Sequence, residues 1–278
     1  MTAVTERAAV ADAIGRIERR PAGFTTSFFA TPEQIQRSIE SNRLRSAVSE
    51  DAVLLLRRDR DFEHVSHVAA DAASLAAALT ELVANVDNSR TLVADLVGRT
   101  GELEAIAAAY HEHGFCDHAT LLRMARPGVA PGEDRLDEPA ATAGLEDMTA
   151  IAEFLARMLD PWRDQMPDDS EITAAIRQGT VLLERRETVV GGCLFFETTG
   201  LTSLLRYWYV DPDCRGQGVG ARLFRTFFDR CRASRRLLVW VDARNAEAIA
   251  KYRHYGFEGD QLVDRILVRK GNAGHEND

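Results

Sequence analysis

The sequence has few cysteines and no pattern that would organise them. The four cysteines, at positions 116, 193, 214 and 231, include no Cys-x-x-Cys pair. Their scattered positions therefore give no disulfide framework and no metal framework. A chain of 278 residues needs neither, because one large domain or two ordinary ones of this length bury a core of their own.

Long apolar runs and an excess of positive charge are missing as well. No segment approaches the roughly 18 apolar residues of a transmembrane helix, and the stretch MTAVTERAAVADAIGRIERR has no continuous apolar core of the kind found in signal peptides. We therefore expect a cytoplasmic protein without a membrane partner. The net charge of −9 and the pI near 5.4 argue against nucleic acid as a partner.

Prolines are also scarce, and they concentrate at one place. Three of the eight lie in RPGVAPGEDRLDEP, residues 126–139, together with two glycines. Such a composition is typical of a linker. The sequence therefore predicts a first domain over residues 1–126, a linker over 127–137 and a second domain over 138–278.

The two predicted domains end in the same way. Each finishes with a strand, a helix and another strand, and each helix closes on Tyr-x-x-x-Gly-Phe: Tyr110, Gly114 and Phe115 in the first domain, Tyr252, Gly256 and Phe257 in the second. A glycine after a helix is an ordinary C-cap, but the shared context favours duplication. The first domain has no glycine between Gly23 and Gly98, so it lacks the loop that marks the second.

That loop is DPDCRGQGVGARLF, residues 211–224, between the apolar strand SLLRYWYV and an amphipathic helix. The first N–H groups of a helix have no partner within it and carry partial positive charge. Glycines at 216, 218 and 220 let a ligand approach these groups, and Arg215 adds a guanidinium suited to phosphate oxygens. The stretch predicts a phosphate or pyrophosphate site.

Two phosphate-binding folds compete for this loop. GQGVGA matches the dinucleotide fingerprint G-x-G-x-x-A, and Asp242 follows at the end of a later strand, which keeps an NAD(P)-binding oxidoreductase as a remote alternative. However, residues 211–214 separate the glycines from the strand. The strands before the loop are joined by short hairpins, and the chain after Asp242 is too short to complete a doubly wound sheet.

The spacing Arg215-x-x-Gly218-x-Gly220 on a strand–turn–helix resembles the acetyl-CoA loop of the GNAT acyltransferase superfamily. VDARNAEAIAKYRHYGF resembles a later motif of that family, in which Asn245 opens a helix that the Tyr252 segment closes. The resemblance covers roughly residues 138–270. It implies an α+β fold (a three-layer α/β arrangement) with two tandem GNAT-like lobes, each a mixed, mostly antiparallel sheet flanked by helices, the N-terminal lobe being degenerate.

The resemblance further implies an acyl-CoA-dependent N-acyltransferase, most simply an acetyltransferase, that uses acetyl-CoA or another acyl-CoA and acts on a small-molecule or peptide amine. It assigns Tyr252 as the general acid that protonates the departing thiolate. Glu197 is the predicted base, with Asp160, Asp168 and Asp169 as alternatives. The implied cofactor-binding residues are Tyr209, Val210, Arg215, Gly216, Gln217, Gly218, Val219, Gly220, Ala221 and Asn245.

Two other functions remain open at this stage. An acyl carrier protein is an alternative donor, because it presents the same pantetheine with one phosphate, and it would dock on the basic residues Arg222, Arg225, Arg230 and Arg232. A CoA-binding sensor or scaffold without turnover is the second, although the presence of Tyr252 and Asn245 disfavours it. The acceptor and the oligomeric state are not encoded in any motif, since acceptor pockets are built from variable loops.

Overall fold

The computed structural model describes residues 1–129, 138–187 and 189–272, so the predicted linker lies outside the described residues from position 130 onward. The helices are α1 (Arg7–Glu18), α2 (Pro32–Glu40), α3 (Ala72–Asn85), α4 (Thr100–Glu112), α5 (Met148–Met158), α6 (Asp169–Arg177), α7 (Val219–Arg230) and α8 (Ala246–His254). The strands are β1 (Thr2–Ala3), β2 (Thr25–Thr26), β3 (Leu44–Val48), β4 (Ala52–Asp59), β5 (Phe62–Ala69), β6 (Thr91–Arg99), β7 (Cys116–Pro127), β8 (Ala141–Thr142), β9 (Val181–Arg186), β10 (Val189–Thr199), β11 (Thr202–Val210), β12 (Arg236–Asp242) and β13 (Glu258–Arg269).

The chain divides into two compact units whose bounds differ from the predicted domains. Unit 1 comprises Met1–Leu121 and Gln261–Asp278, and unit 2 comprises Leu122–Asp260. The difference arises at β13, which sequence analysis assigned to the second domain. From Leu262 to Arg269 this strand pairs antiparallel with β6. An apolar strand reveals its type in the sequence but not its partner, so its place in unit 1 could not be anticipated. The functional roles of the two predicted domains stay a prediction.

Unit 1 contains a mixed sheet in the order β1-β3-β4-β5-β6-β13. All of these strand pairs are antiparallel except β5 with β6, which run parallel over residues 62–64 and 91–93. Val10 and Ile17 of α1 pack with Val53, Leu55 and Val68 in one apolar cluster against the sheet. Apolar spacing on the helix and alternation on the strands therefore meet in one core.

Unit 2 contains a second mixed sheet, in the order β12-β11-β10-β9-β8. As the short connections predicted, β9, β10 and β11 are antiparallel neighbours, while β11 and β12 are parallel. Alternate residues of β10 enter two different clusters. Leu194 and Phe196 pack with α7, whereas Cys193 and Phe195 pack with α5 and α6. Each unit is thus a mostly antiparallel mixed sheet flanked by helices, which confirms the predicted fold class.

Helix α7 is anchored by an aromatic face. The spacing of Leu223, Phe224, Phe227 and Phe228 in the sequence predicts one apolar face of a helix. All four side chains are buried.

The apolar spacing of Met148, Ile151, Phe154, Leu155 and Met158 predicts a helix over residues 144–159. In the structure residues 145–147 instead form a 3₁₀ turn, and α5 begins at Met148. The boundary moves because Asp147 accepts a hydrogen bond from the N–H of Gly144 (2.9 Å) and closes that turn.

All four cysteines are free. Within residues 1–129, 138–187 and 189–272, no three His, Cys, Asp or Glu side chains are grouped so that they could hold a metal ion. Among the helices of the same ranges, none combines the length and the apolar character that crossing a membrane requires.

Candidate active site

Strand β11 separates from β12 halfway along its length. The two strands pair in parallel only from Thr202 with Arg236 to Leu205 with Val239. Arg206 is an extra residue in the ladder on the other edge, since Leu205 pairs with Phe196 and Tyr207 with Phe195. A bulge of this kind bends a strand and ends its pairing. Beyond it, residues 207–210 keep β10 on one edge and have no strand partner on the other within the described chain.

The glycine turn follows β11 after a 3₁₀ turn of residues 212–214 and starts α7. Gly216 and Gly218 have φ values of +73° and +78°, in the left-handed region that favours glycine. Gly218 is the N-cap of α7, and its carbonyl accepts the first helical hydrogen bond, from the N–H of Arg222 at 3.0 Å. The N–H groups of residues 219–221 precede this bond, so they have no partner within the helix. The turn therefore presents unpaired donors at the positive end of the helix dipole.

Gly220 is required for a different reason. A Cβ atom at this position would lie 3.3 Å from Cγ2 of Val210 and 3.4 Å from Cζ2 of Trp208. Glycine thus lets the first turn of α7 lie close against the end of β11. The sequence suggested that all three glycines clear space for a ligand. The structure instead gives two of them a conformational role and the third a packing role.

The unpaired end of β11, the glycine turn and α8 enclose one open cleft of about 870 Å³. Every predicted cofactor-binding residue lines it except Gln217, whose side-chain amide donates to the carbonyl of Asp213 (3.0 Å). The lining also includes residues that sequence analysis did not assign to the site, namely Trp208, Cys214, Glu247, Ala248, Ala250, Lys251, His254 and Tyr255. The spacing of the last six along one helix could have pointed to them once Asn245 and Tyr252 were singled out.

Asn245 and Tyr252 are brought to the cleft by α8. Asn245 caps the helix, since its side-chain oxygen accepts a hydrogen bond from the N–H of Ala248 at 3.0 Å. Tyr252 is buried, with its ring 5.7 Å from Trp208 and 5.8 Å from Phe257. Burial, together with the nearby phenol of Tyr209, raises the pKa of Tyr252 above its ordinary value. The hydroxyl therefore keeps its proton throughout the neutral range.

Trp208 forms part of the cleft wall. Its ring packs against Phe224, 4.4 Å away, and Tyr252, 5.7 Å away. The indole nitrogen is shielded from solvent and has no hydrogen-bond partner in the part of the chain that the structure describes. A buried donor without an acceptor is uncommon in folded proteins. Trp208 thus contributes to this wall through the packing of its ring and not through a hydrogen bond of its indole nitrogen.

The loop between α5 and α6 contacts the ends of both separated strands. Arg163 forms an ion pair with Asp242 at the end of β12 (3.3 Å) and another with Asp164 (2.7 Å). On the other side, the hydroxyl of Tyr207 donates to the carbonyl of Gln165. Hydrogen bonds from Arg244 hold the pKa of Asp242 down to about 2. The loop therefore contacts both strands where they separate, and the charges of Arg163, Asp164 and Asp242 are already paired there.

The predicted bases are not in the cleft. Glu197 lies on β10, half-exposed, and its carboxylate accepts from Nη1 of Arg206 at 2.6 Å. Asp160 accepts the backbone N–H groups of Trp162 and Arg163. Asp168 is the N-cap of α6, and Asp169 lies in the first turn of the same helix. The structure thus brings Tyr252 to the glycine turn but leaves Glu197 apart from both.

The mixed sheet also bears on the dinucleotide alternative. β11, which precedes the glycines, has an antiparallel neighbour on one edge and a parallel one on the other. A doubly wound dinucleotide fold has parallel strands on both sides of this position. The NAD(P)-binding interpretation therefore does not fit unit 2.

Comparison with known proteins agrees with this geometry. Residues 147–257 match the model of the acetyltransferase (GNAT) family, whereas no curated protein matches the chain by sequence. The fold is similar to a GCN5-related N-acetyltransferase from Sphaerobacter thermophilus, with a TM-score of 0.54, 15% identity, and coverage of 86% of this chain and 85% of the other. A GCN5-related N-acetyltransferase from Kribbella flavida gives a TM-score of 0.52 at 19% identity, covering 88% and 98%.

A two-lobed protein is similar over most of its length as well. The tandem GNAT protein of the clavulanic acid biosynthesis pathway aligns with a TM-score of 0.53 at 15% identity, covering 82% of this chain and 81% of that protein. At such identities the likeness concerns the fold. The family match covers the stretch that contains the glycine turn, Asn245 and Tyr252. Residues 147–257 therefore match the acetyltransferase (GNAT) family, and the chain is similar in fold to solved GNAT structures, a tandem GNAT protein among them.

Proposed function

We propose that unit 2 transfers an acyl group, most simply acetyl, from an acyl-CoA thioester to an amine of a small molecule or peptide. One observation carries the proposal: the unpaired edge of β11 and the unpaired N–H groups of residues 219–221 lie in a single cleft. A ligand with amides at one end and a diphosphate at the other matches both features. Pantetheine joined to a nucleotide diphosphate is such a ligand.

The donor supplies an activated thioester carbonyl and a thiolate leaving group. The backbone groups of Tyr209 and Val210 on the unpaired edge would pair with the pantetheine amides and orient that carbonyl for attack. The N–H groups of residues 219–221 would bind the diphosphate. Arg215 is exposed at the mouth of the cleft, and its guanidinium has no ion pair within the described residues, so it is available to the same phosphates.

Tyr252 would stabilise the leaving group. An alkyl thiol has a pKa of about 8.5, well below that of a buried phenol, so complete proton transfer from Tyr252 to the thiolate is uphill. The hydroxyl acts best by donating a hydrogen bond to the sulfur as negative charge develops there. Because burial raises the pKa of Tyr252, the phenol is present in the donating form across the neutral pH range.

The proton lost by the amine is assigned to solvent. Glu197 is held by Arg206, and the carboxylates of Asp160 and Asp168 serve backbone N–H groups. An amine can lose its proton to water before it attacks. The rate of the reaction then increases with pH, because the fraction of unprotonated amine increases. Substitution of Glu197 tests this assignment.

The experiment that tests the function measures thiol release from acetyl-CoA in the presence of a panel of amines. Thermal unfolding with CoA thioesters of increasing chain length identifies the preferred acyl group, because a bound ligand raises the melting temperature. We expect stabilisation by CoA thioesters but not by NAD(H), and thiol release with at least one amine. Absence of any stabilisation by CoA contradicts the proposal.

A second candidate is a CoA-binding sensor or scaffold. The observation that favours it is the lack of a predicted base among the described residues that line the cleft. This candidate expects stabilisation by CoA without thiol release for any amine. A carrier-protein donor finds less support, since Arg222 is paired with Glu184 and Arg232 with Asp229, which leaves part of the proposed docking patch neutralised.

A further inference from the structure

The chain has only two lysines, Lys251 and Lys270, and the first of them lines the cleft. Lys251 lies on α8, one residue before Tyr252, and its Nζ atom is 2.6 Å from Oε1 of Glu247. Both side chains are more exposed than buried. The proposed function assigns the diphosphate to the N–H groups of residues 219–221 and to Arg215. Lys251 is therefore a cation of the cleft to which no part of the donor has been assigned.

The carboxylate of Glu247 interacts with two cations of the cleft, Lys251 and Arg215. The carboxylate is bonded to Lys251 on α8, and Arg215 of the glycine turn also acts on it, so that the two cations together lower the pKa of Glu247. Glu247, Lys251 and Arg215 all line the cleft. An exposed pair four residues apart on a helix is weak. A phosphate, with more charge and three acceptor oxygens, would replace the carboxylate easily.

We propose that Lys251 binds the 3′-phosphate on the ribose of coenzyme A and thereby selects coenzyme A over a carrier-bound pantetheine as the donor. The inference rests on the proposed function, because it places the donor in the same cleft. Dephospho-CoA lacks only the 3′-phosphate, and the pantetheine arm of a carrier protein lacks the whole nucleotide. Glu247 occupies the phosphate position in the free protein and competes with it.

The test compares the dissociation constants of CoA and dephospho-CoA for four proteins: the wild type, Lys251→Met, Glu247→Gln and the control Lys270→Met. The wild type and the control are expected to prefer CoA by about tenfold, the effect of one charge-assisted contact. Lys251→Met should abolish the preference and leave the affinity for dephospho-CoA unchanged. Glu247→Gln should increase the affinity for CoA several-fold.

A folding defect would lower the affinity for CoA in either variant. A loss in Lys251→Met together with a gain in Glu247→Gln therefore cannot arise from a folding defect. Equal affinities of the wild type for CoA and dephospho-CoA would overturn the proposal. So would a Lys251→Met protein that still prefers CoA, or one whose affinity for dephospho-CoA falls as much as its affinity for CoA. A wild-type protein that binds neither ligand would instead refute the proposed function.

A separate observation concerns unit 1, in which β5 and β6 repeat the arrangement of β11 and β12. β4 covers one edge of β5 along residues 62–69, and β6 covers the other edge only along residues 62–64. The edge beyond the separation is the counterpart of the unpaired edge of β11. In unit 1, however, it is occupied. β2 pairs with it through Thr25 opposite Ala69 and Thr26 opposite Val68.

The occupying segment is held by hydrogen bonds to His67. The carbonyl of His67 accepts from the N–H of Ser27 and from the hydroxyl of Thr26, both at 3.0 Å, while its N–H donates to the hydroxyl of Ser27 at 3.1 Å. The imidazole Nδ1 lies 3.0 Å from the Ser27 hydroxyl and 3.1 Å from that of Tyr110. Tyr110, the counterpart of Tyr252, is thus engaged inside unit 1.

We infer that residues 25–27 take the place of pantetheine in unit 1, so that the chain has one acyl-donor site. This inference also depends on the proposed role of β11. Hydrogen exchange followed by mass spectrometry, with and without CoA, tests it. The amides of residues 25–27 and 66–69 are expected to exchange slowly in both states, and those of residues 208–210 to become slower only with CoA.

Rapid exchange of residues 25–27 in the free protein would overturn the inference. Protection of residues 66–69 that appears only with CoA would overturn it too, because it would reveal a second donor site. If CoA changes exchange at neither edge, the proposed function itself fails.

Discussion

The phenol ring of Tyr252 lies 5.7 Å from the indole ring of Trp208, and both rings line the cleft beside the glycine turn. The contact joins α8 to the end of β11 just beyond the bulge at Arg206. The contact therefore holds Tyr252, the predicted general acid, next to the unpaired edge of β11. That edge is the one proposed to bind the thioester.

The first prediction concerns the hydroxyl of Tyr252. Tyr252→Phe keeps the ring contacts but removes the donor to the leaving thiolate, so turnover should fall by about 10²-fold while the dissociation constant of CoA stays nearly the same. Steady-state kinetics and calorimetric titration measure the two quantities. Tyr110→Phe, the matched change in unit 1, should leave turnover unaltered. Unchanged turnover in Tyr252→Phe would remove this residue from the mechanism.

The second prediction concerns the glycine turn. Gly218→Glu should abolish CoA binding, because it introduces a carboxylate beside the N–H groups of residues 219–221 and a side chain at φ +78°. Gly200→Glu is the control. Gly200 also has a positive φ, +58°, but it lies in the hairpin between β10 and β11 and outside the cleft. If both variants lose binding equally, backbone strain rather than the phosphate site is responsible.

The third prediction separates Glu197 from catalysis. Turnover of Glu197→Gln should be within about threefold of the wild-type value. Loss of a general base would lower turnover by about 10²-fold or more. The pH dependence of kcat/KM should then follow the acceptor amine and be the same in both proteins. A profile that loses its acidic limb in the variant would restore Glu197 as the base.

The fourth prediction concerns the core under the cleft. Phe224 is fully buried and its ring lies 4.3 Å from Tyr255 and 4.4 Å from Trp208. Phe224→Ala should therefore lower the free energy of unfolding by about 3–5 kcal/mol, measured by urea denaturation. Phe29→Ala removes the same side chain from a position that is 62% exposed, and its effect should be within about 0.5 kcal/mol of zero. Equal losses would mean that Phe224 does not contribute through packing.

The fifth prediction concerns the stability of unit 1 at acidic pH. Burial lowers the pKa of His67 from an ordinary value of 6.5 to about 3. The unfolded chain therefore binds a proton below pH 6.5 that the folded chain does not bind until near pH 3, so stability falls as the pH is lowered through this window. The loss between pH 7 and pH 4 should be smaller in His67→Gln. An identical slope in both proteins would contradict the assignment.

Local chemistry explains what could be predicted from the sequence. The strand–turn–helix around Gly218, the N-cap at Asn245 and the position of Tyr252 each depend on residues close together in the chain. Their geometry follows from backbone conformation and helix periodicity. For the same reason the aromatic face of α7 was correctly predicted from spacing alone.

Long-range features could not be predicted in the same way. The ion pair that holds Glu197 joins it to Arg206 on the next strand, and nothing in the sequence distinguishes a free carboxylate from a paired one. The partner of β13 depends on which sheet edge is open. Lys251 was overlooked because a lysine on an exposed helix face is ordinary until its neighbours across a cleft are known.

The place of β13 in unit 1 affects how the protein is made. Residues 261–269 are needed to complete the sheet of unit 1, yet they are translated after all of unit 2. While the ribosome is still synthesising unit 2, β6 has an open edge that attracts other strands. The sheet of unit 1 is therefore completed only by the last strand, and premature termination after Asp260 would leave the edge of β6 open and prone to aggregation.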